Sequence, residues 1–300
     1  MNRENTSYKV ISATNRNNEY IASLQDGDLM ARINFGGSHR NFQKCLQMTV
    51  YKNYKDDSDS YFAHLDGISF NSLCSINGDL QRGDGTKDMI RTGLTFIFIK
   101  FPWLKGIKFV DASRVECLSS ISSTSNKKPT ELKLHSLELA KCGATWYSKN
   151  FNAFPDKKRD CNTLKNAPVL LNDTFVKYHR NFAAFYKIYI SPKTSLTSLQ
   201  ILNLKETFDG SNSFQSWIKK ILKHPNLKCD VLLNWLNDFV YSLVDLHIDH
   251  MMWIIKNKKL NNITFTEIKS KKSFIGGQLI EKKQYPFGKT PMTNQELLDI

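Results

Sequence analysis

The chain has 300 residues, of which 41% are hydrophobic and 12% aromatic. That is enough apolar material for one large domain or two ordinary ones, and it excludes disorder over most of the length. The net charge is +14. Residues 1–160 carry 23 basic and 17 acidic side chains and the remainder 19 and 11, so the excess is spread over both halves. A basic surface of this kind suits polyanions such as nucleic acid, phosphorylated cofactors, acidic proteins or anionic lipid. A Lys- and Asn-rich composition of genomic origin accounts for the same excess.

In chain order, YKVISAT (8–14) and LMARINF (29–35) have strand composition, with a turn at Gly36-Gly37. KCLQMTVYK (44–52) is a further strand candidate, the acidic DDSD (56–59) a hairpin loop, and YFAHLDGISF (61–70) the next strand candidate, followed by NSLCSI (71–76). The glycine-rich NGDLQRGDGT (77–86) then leads into KDMIRTGLTFIFIKF (87–101), whose apolar positions 89, 90, 94, 97, 98 and 101 predict a helix packed on a sheet and stopped by Pro102. IKFVDAS (107–113) is a strand candidate. Strand, glycine turn, helix and strand together predict a βαβ unit.

SSISSTSNKKPT (119–130) is a polar loop, 132–147 has helical leucine spacing, and the charged run PDKKRD (155–160) is the candidate domain boundary. Beyond it, aromatics at 175, 178, 182, 185 and 189 predict one amphipathic helix over 174–190. A second spans 213–224, between possible caps Ser213 or Ser216 and a stop at Pro225. Residues 231–255 are the longest apolar stretch, but Asn234, Asp238, Asp245 and Asp249 interrupt it. They predict a buried or amphipathic helix in place of a membrane span. ITFTEI (263–268) is a small strand candidate in a Lys-rich tail.

The six cysteines, Cys45, Cys74, Cys117, Cys142, Cys161 and Cys229, form no CxxC or CxC pair, and the first ten residues are polar and charged. This predicts reduced thiols in a cytosol-like compartment, no signal peptide and no zinc site.

LQRGDGTKDMI (80–90) carries the most chemistry. Glycines between a strand and a helix let backbone N–H groups approach a phosphate, and the helix N-terminus adds partial positive charge. A plain tight turn has the same composition. Together with IKFVDAS and TWYSKNFNA (145–153), this block resembles the Gcn5-related N-acyltransferase (GNAT) superfamily over roughly 44–154. Gly83 and Gly85 match the two small positions of the family's pyrophosphate turn. Tyr147-Ser148-Lys149-Asn150-Phe151 is similar to its Tyr-Glu-Lys-x-Gly-Phe pattern. The Lys/Asn-rich composition and the Thr-Trp-Tyr run also resemble proteins of large nucleocytoplasmic DNA viruses.

The GNAT resemblance implies that the amides around Arg82, Gly83, Asp84, Gly85, Thr86 and Lys87 hold the diphosphate of acetyl-CoA. It also implies that Tyr147 is the general acid for the departing thiolate, and that a strand-bulge amide polarises the thioester carbonyl. The chain departs from the pattern in four ways. Leu80 stands where Gln or Arg is usual, Asp84 puts negative charge at the diphosphate, and Asn150 replaces a glycine. No glutamate lies in 61–76, which leaves His64 and Asp66 as the nearest substitutes for the base.

Other candidates have plainer explanations beside them. His247 and His250, flanked by Asp245 and Asp249, have i, i+3 spacing for a metal or are ordinary helix histidines. Asp111 and Ser113 end a strand toward a cleft or cap a turn. Lys127-Lys128, Lys157-Lys158-Arg159 and the group Lys269, Lys271, Lys272, Lys282 and Lys283 grip phosphates or are solvated. Cys142 has no histidine close in sequence to activate it as a nucleophile.

The expected fold is α/β (α+β): a GNAT-like mixed sheet with flanking helices over 1–155, then a mainly helical region over 161–300. The expected function is transfer of an acyl group from acetyl-CoA to an amine, in the cytoplasm, or in a virus factory or virion for a viral chain. The alternatives are an inactive GNAT-like structural or interaction protein with a protein partner on its helical half, and a nucleic-acid-binding module.

Overall fold

The computed structural model describes residues 4–13, 18–37, 45–52, 61–69, 72–76, 80–117, 131–227, 230–233, 235–244, 248–258, 260–268 and 291–292. Contacts divide the chain into two units. The first comprises 1–109 with 254–288, the second 110–253 with 289–300. The charged run 155–160 falls inside the second unit, between β9 (Phe154–Pro155) and the body of α4 (Lys158–Tyr178).

The first unit is built on strands β1 (Glu4–Ser12), β2 (Glu19–Asp26), β3 (Met30–Phe35), β4 (Leu46–Tyr51), β5 (Phe62–Ile68) and β11 (Ile263–Ile268). It also contains helix α1 (Asp84–Lys100) and most of β6 (Gly106–Val110) and β10 (Met252–Lys256). The hydrogen-bonded order of the nine-stranded mixed sheet is β11-β1-β2-β3-β4-β5-β6-β10-β9. Pairing is antiparallel from β11 through β5, and β5 to β6 is parallel. The chain is therefore mixed α/β, and the strand–turn–helix–strand reading of 61–113 corresponds to β5, α1 and β6.

Helix α1 covers this sheet because Met89, Ile90, Leu94, Phe96 and Ile97 are fully buried. Gly93 permits the close approach: a Cβ there would lie 2.4 Å from Leu46 Cδ2. Phe96 meets Tyr8 at 5.4 Å and Phe265 at 5.3 Å between ring centroids.

The second unit contains β7 (Arg114–Cys117), β8 (Glu131–Lys133), α2 (Leu134–Cys142), α3 (Trp146–Phe151), β9 and α4. The helices α5 (Phe182–Phe185), α6 (Ser198–Asp209), α7 (Phe214–Lys223), α8 (Asp230–Leu233) and α9 (Leu236–Val244) follow, and β12 (Pro291–Met292) pairs with β7. Phe175, Phe185, Phe208, Phe214, Trp217, Trp235 and Phe239 form its core, with centroids 4.6 Å apart for Phe175–Phe208 and 4.9 Å for Phe208–Trp217. Such pairs add about 0.5–1.5 kcal/mol each beyond area burial. Two of the buried indoles donate, Trp217 Nε1 to Thr207 Oγ1 at 3.1 Å and Trp235 Nε1 to the Val231 carbonyl at 2.6 Å.

Three helix expectations are corrected. The predicted 174–190 helix breaks after Tyr178, because the Asn181 side chain accepts the Ala184 amide at 3.1 Å and starts α5 afresh. The leucine pattern of 132–147 divides at Gly143, which ends α2 in the left-handed region with φ 74°. The 231–255 stretch is no single helix; it is α8, α9, a short turn at 248–250 and the strand β10. A continuous buried run such as MWII fits strand or helix equally by periodicity. No described helix is long and apolar enough to cross a membrane.

The expectation of six reduced thiols is also corrected: Cys45 and Cys74 form a disulfide. Leu46 is registered with Ile68 across β4 and β5, so Cys45 meets the chain just as it leaves β5. Long-range pairing brings them together, and sequence spacing holds no trace of it. Cys142 and Cys161 are free thiols.

Candidate functional site

In the first unit, α1 is preceded by Gly83, whose φ of 77° and ψ of −102° lie outside the range of most L-residues. No side chain caps the helix start, and a Cβ on Gly83 would meet nothing within 4 Å. Gly85 has a different reason. It is buried, and a Cβ there would come 3.2 Å from the side chain of Leu80. Gly83 thus opens onto free space, and Gly85 makes room for a core leucine. The Asp84 side chain is 86% exposed and pairs with Lys87 at 3.2 Å. Arg82 and Thr86 are half-buried.

Two features of β5 bear on the same region. Its pairing with β6 is registered only over Phe62–His64 against Gly106–Lys108, although β5 runs on to Ile68. Against β4 the register jumps from Gln47↔Gly67 to Met48↔Leu65, so Asp66 is an extra, bulged residue. Its carboxylate accepts the Thr49 hydroxyl at 2.6 Å. The His64 ring stands edge-on to Tyr51 at 5.4 Å.

Tyr147 belongs to the second unit. Thr145 caps α3 there, its hydroxyl accepting the Ser148 amide at 3.4 Å. Tyr147 is 7% exposed and packs against Trp146 at 5.0 Å and Phe151 at 6.0 Å. Burial, and secondarily the charge of Asp111, push its phenol well above the usual value.

Asp111 shapes the turn leaving β6. Its Oδ1 accepts both the amide and the hydroxyl of Ser113, as the capping alternative expects. Its Oδ2 is buried, and among the described residues no group donates to it. Burial, opposed by the two Ser113 hydrogen bonds, pushes this carboxyl up to about 6 from 3.8. The folded state therefore holds the proton more tightly than the unfolded chain. The stability this contributes is present below pH 3.8 and is lost as pH rises through 6. Asp111→Asn should then unfold at higher urea than the wild type at pH 7, by about 1–2 kcal/mol after discounting the weakened Ser113 bonds, with no gain near pH 4. Urea titrations at both pH values check this, and equal midpoints at pH 7 would mean that the carboxylate finds a donor in solution.

Other candidates in this unit resolve into packing. Glu138 and Lys141 form a fully buried ion pair at 2.5 Å. The Lys149 ammonium reaches Glu138 at 3.9 Å and the Cys142 thiol at 3.8 Å. Lys157, Lys158 and Arg159 are exposed at the start of α4. A cavity of about 230 Å3 is lined by Leu139, Thr145, Ser148, Phe154, Cys161 and Lys165, among others. Burial and the neighbouring Asp160 raise the Cys161 thiol.

Among the described residues no three His, Cys, Asp or Glu side chains gather for a metal. His247, Asp245, Lys127, Lys128 and the lysines from 269 to 283 lie outside the described residues, as does the side chain of Asp249.

Sequence reading passed over the bulge at Asp66 and the buried carboxylate oxygen of Asp111 that has no donor among the described residues. The first depends on register across strands and the second on burial, and neither leaves a local signal. No family model, no curated protein and no solved structure matches the chain.

Proposed function

We propose that the chain is a GNAT-like N-acyltransferase whose first unit takes the diphosphate of acetyl-CoA at the turn 82–87. The observation that carries this reading is the sequence β5, Gly83, α1, β6. A parallel pair stays registered for only three residues. The connecting helix starts uncapped at a glycine with open space beside it. Uncapped helix N-termini bind anions through their amides and partial charge. Amides from Gly83 to Thr86 would hold the phosphates, and Arg82 and Lys87 would supply cations. The bulge at Asp66 is the kind of irregularity that re-aims a backbone amide toward a ligand, here the thioester carbonyl.

Isothermal calorimetry with acetyl-CoA and CoA tests the binding step, and the expected result is micromolar affinity. Asp84→Asn removes a like charge beside the phosphates; for an exposed charge about 5 Å away this is worth roughly fivefold in affinity, and more at low salt. Absence of heat with either ligand, or an Asp84→Asn variant that binds no better, overturns the assignment of this turn.

A scaffold that retains the architecture without turnover is the second reading. The burial of Tyr147 and the carboxylate of Asp84 at the turn favour it. Acetyl-CoA binding with no transfer to any amine would be its signature.

A further inference from the structure

At one end of the first unit's sheet, three strand termini bring aromatic rings and lysines to a common edge. Tyr61 immediately precedes β5, and Lys105 immediately precedes β6. The Lys105 amide donates to the Tyr61 carbonyl at 2.8 Å. On the other side of Lys105, its carbonyl accepts the Asn257 amide at 2.8 Å, just beyond the last residue of β10. The Asn257 side chain closes the seam by donating to the Leu104 carbonyl at 2.6 Å.

The link between α1 and β6 is a tight turn, closed by the Leu104 amide donating to the Phe101 carbonyl at 3.1 Å. Pro102 and Trp103 occupy its two central positions, and Phe101 and Leu104 are buried on either side. Trp103 is thereby held outward at 44% exposure, its ring edge-on to Phe101 at 6.3 Å. Tyr61 is 46% exposed, although the Lys105 ammonium sits 4.2 Å from its ring centre. Lys105, Lys256 and Lys258 are exposed along the same edge. Two large rings that are each nearly half exposed on neighbouring chain segments, with lysines in the same strand ends, leave aromatic surface that a ligand can cover.

We propose that this edge, Tyr61, Trp103, Lys105, Lys256 and Lys258, is a binding site for single-stranded nucleic acid. Bases stack on the two rings, and the lysines meet the phosphates between them. Single strands are favoured over duplex because stacking needs an unpaired base face. They are favoured over an anionic membrane because the chain that leaves β10 along this edge, Lys256-Asn257-Lys258, is exposed and polar and offers no aliphatic anchor. Asp56, Asp57 and Asp59 precede Tyr61 in the sequence. Charge alone therefore does not select the ligand, and the rings decide.

The protein supplies its own probe. Trp217, Trp235 and Trp253 are fully buried and Trp146 is 6% exposed, so a stacked base quenches mainly Trp103. Titration with oligo(dT) and oligo(U) should quench the fluorescence, with Trp103→Phe abolishing most of the change. Tyr61→Ala and Trp103→Ala should each weaken binding, followed by anisotropy of a labelled oligonucleotide, by roughly five- to a hundredfold. Replacing Lys105, Lys256 and Lys258 by alanine should lower the slope of log affinity against log salt by about 2. These side chains are exposed, so circular dichroism of the variants should match the wild type. Comparison of dT with U distinguishes DNA from RNA. No binding, binding unaffected by both ring variants, or preference for duplex or for phosphatidylserine vesicles overturns the proposal.

Discussion

Asp88→Ala should cost the first unit about 3–5 kcal/mol of folding free energy. Asp88 lies on α1 and is 8% exposed. Its carboxylate accepts Ser12 Oγ at 2.7 Å, Asn18 Nδ2 at 2.9 Å, Tyr20 OH at 2.8 Å and Asn261 Nδ2 at 3.1 Å. These donors come from β1, the start of β2 and the loop before β11, so one side chain ties the covering helix to three segments of the sheet. Alanine leaves the donors buried without an acceptor, and each then bears its desolvation cost. Asp88→Asn keeps one acceptor oxygen but turns an NH2 toward donors, and should cost about 2 kcal/mol. Urea unfolding checks both, with the midpoint order wild type, Asn, Ala. Equal midpoints would mean that water replaces the carboxylate. The pH dependence supplies a second check. Burial first, and the Asp88 charge second, raise the Tyr20 phenol far above its ordinary value of 10.0. The folded state keeps that proton, so the associated stability is present below pH 10 and is lost as pH rises beyond it. The loss should be shallower in Asp88→Ala, where two causes of the shift, the charge and the hydrogen bond, are gone.

This network also marks where local reading of the sequence stops. The strand composition of 29–35, 44–52 and 61–70 led directly to β3, β4 and β5. The apolar spacing of 87–101 and the stop at Pro102 led to α1 with its start displaced by three residues, to Asp84. Strand β2 was missed, although Tyr20, Ile21, Ala22 and Leu24 are all buried, because EYIASLQD dilutes its few strand formers with Glu, Ala, Ser, Gln and Asp. What Asp88 does could not be seen from LQRGDGTKDMI. Three of its four partners lie some seventy positions upstream and the fourth lies 173 positions downstream. The acidic residue that drew attention in that block, Asp84, is solvent-facing; its neighbour four positions on organises the core. The glycines divide in the same way. Gly83 was legible as a turn residue, while the use of Gly85 depends on where Leu80 packs. The ring-and-lysine edge at Tyr61 and Trp103 was equally invisible, since it forms only when β5, β6 and β10 end side by side.

Removing the cross-link with Cys45→Ser and Cys74→Ser together should cost about 3–4 kcal/mol. The two residues are 29 positions apart, and closing a loop of that length in the unfolded chain removes roughly this much conformational freedom. Both residues are fully buried, so replacing them as a pair avoids a lone thiol while leaving two small side chains of similar volume. Neighbouring backbone is arranged around the bond. The Gly37 amide donates to the Cys74 carbonyl at 3.1 Å and the Ser69 amide to the Cys45 carbonyl at 2.8 Å. A Cβ on Gly36, where φ is 114°, would stand 2.7 Å from the Cys45 Cβ. Gly36→Ala should therefore destabilise by about 1–3 kcal/mol through strain and contact alone. Urea titration of the double variant against the oxidised wild type measures the cross-link. Alkylation of the native protein followed by mass spectrometry should label Cys142 and Cys161 and spare Cys45 and Cys74. If Cys45 and Cys74 are alkylated without a reductant, or the double variant unfolds at the wild-type midpoint, the bond contributes nothing in solution. The first unit would then stand on its core and on Asp88. If instead the double variant loses stability while its acetyl-CoA affinity is unchanged, the bond supports the sheet and leaves the turn at Gly83 to the register of β5 and the burial of Leu80.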